Sequence, residues 1–330
     1  MIYNSYDNVG LVRVLSFLKT HNKEYLSGQD LSDVLKISRV AIWKHIKKIQ
    51  ELGYKIESKQ KLGYKLVENT KLLLPWEITN GLQTKKIGKR AYFFDSIDST
   101  QNYALKISGE SKENGTVVIA QKQTMGKGRE GRKWVSPQGG IWISIIIHPK
   151  FDVGVLTILP LAASVAIATT IEKELELKPS LKWPNDVLLS NKKVAGILTD
   201  VSMESNKIHS VVVGIGINFD VDVKKIETSI KGTANAYGVT SLTKSNSPIK
   251  FLQMLLYNLE NIFEELNKGN SKNILDAWKK RSETIGKNVQ ISGDKKIRGK
   301  AIRIDDDGAL VVKKGTKTER ILAGDVIHLR

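Results

Sequence analysis

The hydrophobic period of this chain changes twice, and that restricts it to a multidomain fold. Apolar residues first recur every three or four positions, then gather in buried strand-like and helical runs, and finally alternate in short bursts. In the first part, Leu11, Val14, Leu15 and Leu18 mark one helical face, and Leu31, Val34 and Leu35 mark a second short helix. A third helix is expected over VAIWKHIKKIQELG, where Val40, Trp43, Ile46, Ile49 and Leu52 keep helical spacing and Gly53 supplies the stop. YKIESKQKLGYKLV then alternates, turns between Lys59 and Gly63, and returns as a strand. Three helices and a basic hairpin predict a winged helix-turn-helix.

ENTKLLLPWEITNGLQTKKIGKR, with one proline and two glycines, reads as a linker followed by a short helix. Beyond it the pattern is α+β. YFFDSI, GTVVIAQKQ, GGIWISIIIHP and IHSVVVGIGINF are expected strands, and LKWPNDVLLSNKKVAGILTDVSM is expected to give two more, joined at Ser190, Asn191 and Lys192. STQNYALKISG, PIKFLQMLLYNLENIFEELNKG and KNILDAWKKRSETIG read as helices, and TILPLAASVAIATTIEKELEL as a long helix buried on one face. The last stretch breaks into about five short strands with turns at DDDG and KKGT, the pattern of a small β-barrel. The 330 residues therefore divide at about 1–66, 70–280 and 284–330.

Composition removes several chemistries. Cysteine is absent, which excludes a disulfide framework, a thiolate nucleophile and cysteine-based metal sites. His21, His45, His148, His209 and His328 are scattered and form no H-E-x-x-H pair. The most apolar run, residues 153–171, is broken by Pro160, and the chain start lacks a secretory signal, so a cytoplasmic protein that does not engage a membrane is expected. A formal charge of +18 suits nucleic acid or an acidic partner.

QTMGKGREGRKW carries a formal G-x-G-x-x-G in Gly126, Gly128 and Gly131. A dinucleotide fingerprint would start directly after a strand and open a helix. Here the strand ends too early, and RKWVSPQGG after Gly131 forbids a helix. A P-loop fails as well, because Arg132 and Lys133 stand where Lys and Ser/Thr belong. What remains is a flexible cationic loop in which Lys127, Arg129 and Arg132 suit an anion.

DSIDSTQNYA (95–104), QTMGKGREGRKW (123–134), KWPNDV (182–187), KVAGIL (193–198) and GIGINF (214–219), in this order, resemble the biotin protein ligases. The winged helix makes the chain similar to the bifunctional kind, ligase and biotin-operon repressor in one chain. The resemblance implies an α+β multidomain fold. Its central mixed-sheet α/β ligase domain would be like that of class II aminoacyl-tRNA synthetases, and its C-terminal β-barrel SH3-like. It implies that biotin and ATP, with Mg²⁺, form biotinyl-5'-adenylate, and that a lysine of a biotin carboxyl carrier protein then takes the biotin. The adenylate-loaded homodimer, formed through sheet edges of the central domain, would bind operator DNA.

The same resemblance distributes the residues. Ser99, Thr100, Gln101, Gln123, Lys127, Gly128, Arg129 and Lys193 would meet biotin. Arg129, Arg132, Asn185 and Asn218 would meet ATP, with Asp186 near Mg²⁺ and with Arg129, Lys182 and Lys193 acting in the chemistry. Lys127 and Glu130 depart from the family's G-R-G-R-R-G, and Lys127 keeps a charge without arginine's planar fork. Ser38, Arg39, Lys44 and Lys47 of the third helix and Lys59 and Lys61 of the wing would contact DNA.

By their residue types alone, Ser99 and Thr100 also suit a helix cap, Lys182 and Lys193 solvated strand ends, and GIGINF a core strand. Trp134 suits either the core or a ligand, Trp43 borders the apolar face and suits either the core or a DNA contact of a recognition helix, and the basic third helix also suits a protein partner. Two further functional readings stay open: a biotin-sensing DNA-binding regulator with weak ligase activity, and a lipoate-type ligase.

Overall fold

The computed structural model describes residues 2–4, 8–109, 113–204, 207–229, 238–242, 247–292 and 296–329. It opens on a strand that the sequence pattern does not announce, β1 (Ile2–Asn4). Helices α1 (Val9–Thr20), α2 (Gly28–Leu35) and α3 (Arg39–Glu51) come next, and then the hairpin β2 (Lys55–Lys59) and β3 (Gly63–Glu68). Serines start α2 and α3: Ser27 Oγ accepts the Asp30 N–H and Ser38 Oγ the Ala41 N–H.

Leu11, Val14, Leu15 and Leu18 are buried as their spacing requires. On α3 the sequence offers two overlapping apolar stripes that share Ile46 and Ile49. Packed against α1 and α2, the helix buries Ile42, Ile46 and Ile49. The expected core positions Val40 and Trp43 are instead 64% and 51% exposed, and Val34 of α2 is exposed as well.

The expected linker is an integral part of the body. It contains α4 (Pro75–Thr79), and Leu73, Leu74, Ile78, Leu82 and Ile87 around it are buried. Buried Glu77 accepts from Lys19 Nζ (2.5 and 2.8 Å) and from the Tyr54 hydroxyl (2.5 Å), which fastens the winged helix to α4.

The central unit runs β4 (Ala91–Phe94), α5 (Thr100–Ser108), β5 (Thr116–Ala120), β6 (Ile141–Ile147), α6 (Leu159–Leu175), β7 (Ser180–Lys182), β8 (Asp186–Leu189), β9 (Lys192–Glu204), β10 (Lys207–Ile217), α7 (Val223–Ser229), α8 (Pro248–Asn267) and α9 (Ser271–Lys280). Its sheet has the order β1-β4-β5-β6-β10-β9-β8-β7, and among the described strands only β4 and β5 pair in parallel. Helix α5 covers one face through Ala104 against Phe94, Val118, Ile146 and Val212. Helix α6 is buried on all sides from Leu161 to Ala168, rather than on one face, because it lies between the sheet and α8 and α9. LKWPNDV gives two separate strands, β7 and β8, so the segment holds three strands where two were expected. The β8–β9 turn falls at Ser190 and Asn191, both left-handed (φ 50° and 61°).

The C-terminal unit is a five-stranded antiparallel sheet: β11 (Asn288–Ser292), β12 (Ile297–Ile304), β13 (Leu310–Lys314), β14 (Lys317–Ile321) and β15 (Asp325–His328), in the order β14-β13-β12-β11-β15. Trp183 ties it down, donating its backbone N–H to Thr284 Oγ1 and its indole N–H to the Gly308 carbonyl, both at 3.0 Å.

Candidate active site and nucleic-acid interface

A cavity of about 570 Å³ opens over the central sheet between α5, the loop at 126–133 and the β15 end of the C-terminal unit. All thirteen residues expected at biotin, ATP and metal line it: Ser99, Thr100, Gln101, Gln123, Lys127, Gly128, Arg129, Arg132, Lys182, Asn185, Asp186, Lys193 and Asn218. Sequence positions separated by more than a hundred residues thus converge on one wall because the central strands end there.

The floor is a polar network. Ser99 caps α5 by accepting the Asn102 N–H (3.4 Å) while it lines the cavity. Gln123 Oε1 accepts from the Thr100 N–H (2.7 Å) and hydroxyl (3.0 Å), and its amide donates to Ser136 Oγ (2.8 Å). Gln101 donates to Asp200 Oδ2 (2.8 Å) and lies 2.9 Å from the Ser144 hydroxyl. Gly214 makes room for it, since a Cβ there would come within 2.4 Å of Gln101 Oε1. These bonds fix each amide's orientation, so one end of the cavity presents a defined pattern of donors and acceptors.

The other end is cationic. Lys193 Nζ is 2.6 Å and Lys182 Nζ 3.7 Å from the Asp186 carboxylate. Burial, reinforced by the charge of Lys193, holds Lys182 below the usual lysine range against the pull of Asp186. Burial pushes Asp186 upward, but Lys193 and Lys182 outweigh it and hold the carboxyl below the ordinary aspartate value. Two ammonium groups share one carboxylate, which leaves net positive charge in a place of low dielectric.

The loop closes on itself. Trp134 N–H donates to the Gly126 carbonyl and Gly128 N–H to that of Arg132. A Cβ at Gly126 would sit 2.4 Å from the Trp134 carbonyl oxygen, and Glu130 and Gly131 take left-handed turns (φ 55° and 70°). The arginines reach the C-terminal unit: Arg132 pairs with Asp325 at 2.6 Å, and Arg129 donates to the Gly324 carbonyl at 3.3 Å.

Trp134 does both things expected of it by residue type: it lines the cavity, with Lys193 Nζ 5.1 Å from its ring centre, and it packs edge-on against buried Trp142. The Trp134 indole N–H and the Asn218 Oδ1 are buried with no hydrogen-bond partner among the described residues. Both residues line the cavity, but these two atoms are covered, and a Cβ at Gly216 would come within 2.4 Å of the indole nitrogen. Asn185 differs, because its amide holds the Ile197 carbonyl of β9 (2.7 Å). Among the described residues no group of three or more His, Cys, Asp or Glu could hold a metal.

Sequence reasoning missed Ser136, Ser144, Asp200 and Asp325. Each lies outside the five motifs, and only the fold brings it to the site.

On the winged helix, Arg39, Lys44, Lys47, Lys59 and Lys61 are all exposed. Arg39, Lys44, Lys47 and Lys61 form no salt bridge among the described residues, whereas Lys59 lies 4.8 Å over the Tyr25 ring. Ser38 is exposed and caps the helix.

Residues 93–218 match the biotin/lipoate A/B protein ligase family, residues 12–65 an HTH domain and residues 284–329 the biotin protein ligase C terminal domain. The bifunctional ligase/repressor BirA of Bacillus subtilis (strain 168) is 32% identical over 92% of this chain and 94% of its own length. That of Escherichia coli (strain K12) is 30% identical over 97% of both. The solved biotin protein ligase from Aquifex aeolicus in complex with biotin and ATP is similar, with a TM-score of 0.62 and 26% identity, over 75% of this chain and 100% of its own. The chain belongs to the family of bifunctional biotin ligases and repressors.

Proposed function

We infer that this chain is an ATP-dependent biotin protein ligase that also binds operator DNA as a repressor of biotin genes. The carrying observation is the single cavity that joins a hydrogen-bonding floor to a cluster of cations. The floor around Ser99, Thr100, Gln101 and Gln123 suits the neutral ureido end of biotin, and the cationic end suits its carboxylate beside the α-phosphate of ATP. In the first step the carboxylate oxygen attacks the α-phosphorus and pyrophosphate leaves. Lys182, Lys193 and Arg129 offset the repulsion between two anions and the charge that develops on the phosphoryl oxygens. In the second step the carrier lysine's amine attacks the acyl carbon, AMP leaves with the bonding pair, and the amine gives up its proton.

Trp134 and Asn218 lie beside the nucleotide, and Lys127, Gly128 and Arg132 complete the loop over it. Magnesium arriving with the triphosphate needs few protein ligands, and Asp186 is the carboxylate placed among the phosphate-binding cations. The central fold is read as class II synthetase-like and the C-terminal sheet as an SH3-like barrel. A homodimer fits the open edge of β9, since beyond Ile197 that strand pairs only with β10 among the described residues. The cytoplasm is the place where a carrier protein and operator DNA would both be within reach of one chain. Among the described residues no helix is long and apolar enough to cross a membrane.

The test is transfer of labelled biotin to a biotin carboxyl carrier domain with MgATP, for the wild type and Arg129→Gly. Transfer by the wild type, with adenylate leaking from the variant onto bystander lysines, is expected. Biotin binding without transfer would leave a sensor-regulator, and competition by lipoate would point to a lipoate-type ligase.

A further inference from the structure

We propose that Val40 and Trp43 of α3 form an apolar patch that reads the 5-methyl groups of thymine in the major groove of duplex DNA. The inference rests on the DNA-binding role of the winged helix and names what its third helix recognises. Trp142, Trp183 and Trp278 are fully buried, and Trp76 and Trp134 are half-buried. Trp43 is the exposed one of the six tryptophans at 51%, and Val40, one turn earlier, is 64% exposed.

Three polar residues of α3, Gln50, His45 and Lys48, are engaged elsewhere. The Gln50 amide donates to the Ile56 carbonyl of the wing at 3.1 Å. His45 packs so closely on α1 that a Cβ at Gly10 would come within 2.9 Å of its Nε2. Lys48 pairs with Glu51 at 3.0 Å and lies 5.8 Å over the Tyr3 ring. The outward face is left with Arg39, Lys44 and Lys47 around two apolar side chains.

A ring of cations around an apolar centre is complementary to a surface that is anionic at its rim and apolar in its middle. The major groove over thymines is such a surface, with phosphates on both sides and methyl groups on the floor. A second copy of this chain would instead set these cations against one another.

The test uses the full chain with biotin and MgATP. A duplex selected by the protein from a random pool is resynthesised with thymine or with uracil, which lacks only the methyl group. The wild type is expected to bind the thymine form more tightly, by about fourfold per contacted methyl. Trp43→Ala should lose most of the preference and the double variant Val40→Ala with Trp43→Ala all of it, Trp43→Phe should keep part, and Lys47→Ala should weaken both forms equally. Unchanged melting curves establish that the variants are folded.

Equal wild-type binding of both forms, or a full preference retained by Trp43→Ala, overturns the proposal while the DNA-binding role stands. If no duplex is enriched, that role fails and the proposal with it. A Trp43→Ala variant altered only in carrier biotinylation or in sedimentation would assign the patch to a protein contact and likewise overturn it.

Discussion

Lys182 and Lys193 in the cavity and Lys44 and Lys47 on α3 carry the same ammonium group into opposite surroundings. Lys182 is only 8% exposed, and both cavity lysines converge on Asp186. Lys44 and Lys47 are exposed and form no salt bridge among the described residues. Charge in a water-poor cavity acts strongly at short range and in a fixed direction, so it can stabilise one charge distribution. Charge on an open helix is screened within about 8–10 Å at physiological salt and acts by displacing counterions from a polyanion. The same residue type therefore serves chemistry in one place and association in the other.

The largest expected effect tests the buried half of this contrast. Lys193→Ala removes a cation from the proposed site of adenylate formation and should lower kcat/KM for carrier biotinylation by roughly 10²–10³. A loss below tenfold would mean that the cavity charge is no more directed than the surface charge. The exposed half is tested by salt. Replacing Lys44 and Lys47 together by alanine should make the log–log salt slope of DNA binding shallower by about 2, roughly 0.9 for each phosphate contact. Wild-type biotinylation over the same salt range should change far less. Parallel salt dependences of the two activities would collapse the distinction.

Local pattern made the elements of both regions legible, but not every face. The helical stripe of α1, the β2–β3 hairpin, the Ser190–Asn191 turn and the five C-terminal strands all arise from period and turn chemistry. On α3 the periodicity pointed to Val40 and Trp43 as core residues, since two stripes overlapped and only packing against α1 and α2 chose between them. Strand β1 has no signal of its own, because three residues form a strand only where a partner edge exists. In the site, five short motifs carried all the cavity residues that were expected. Asp200 and Asp325 stayed hidden, since their roles arise from a neighbouring strand and from a separate unit.

A smaller effect concerns the contact between the central and C-terminal units. Burial, with added repulsion from Lys182 and Lys287, lowers the His328 pKa to about 4, and its Nε2 lies 3.3 Å from Thr284 Oγ1. In the unfolded chain the ring titrates near its usual value of about 6.5. Between these values the unfolded state binds a proton that the folded state refuses. The contribution to stability is thus complete above about 6.5 and is lost as pH falls through about 4. Solvent reaches this half-buried ring, so the effect should be roughly 1–2 kcal/mol rather than the full shift. Urea unfolding at pH 7 and pH 4.5 should show a smaller stability loss for His328→Gln than for the wild type. Equal losses would place the pH sensitivity elsewhere.

Arg132 stands between the two kinds of charge and sharpens the comparison further. Its side chain is 55% exposed like a surface cation, yet it is ion-paired to Asp325 at 2.6 Å, with Arg129 bonded next to it. A half-exposed pair contributes at most about 1 kcal/mol, too little to resist a phosphate but enough to hold a glycine-rich loop in place beforehand. Asp325→Asn should therefore speed tryptic cleavage after Arg129 and Arg132 in the ligand-free protein by up to about fivefold, the equivalent of that energy. Biotin with MgATP should restore protection if, as proposed, the ligand's anions replace Asp325 as the partner of both arginines. Unchanged cleavage in the variant would mean that the backbone bonds of Gly126 and Gly128 close the loop by themselves, and Arg132 would then belong with the surface cations.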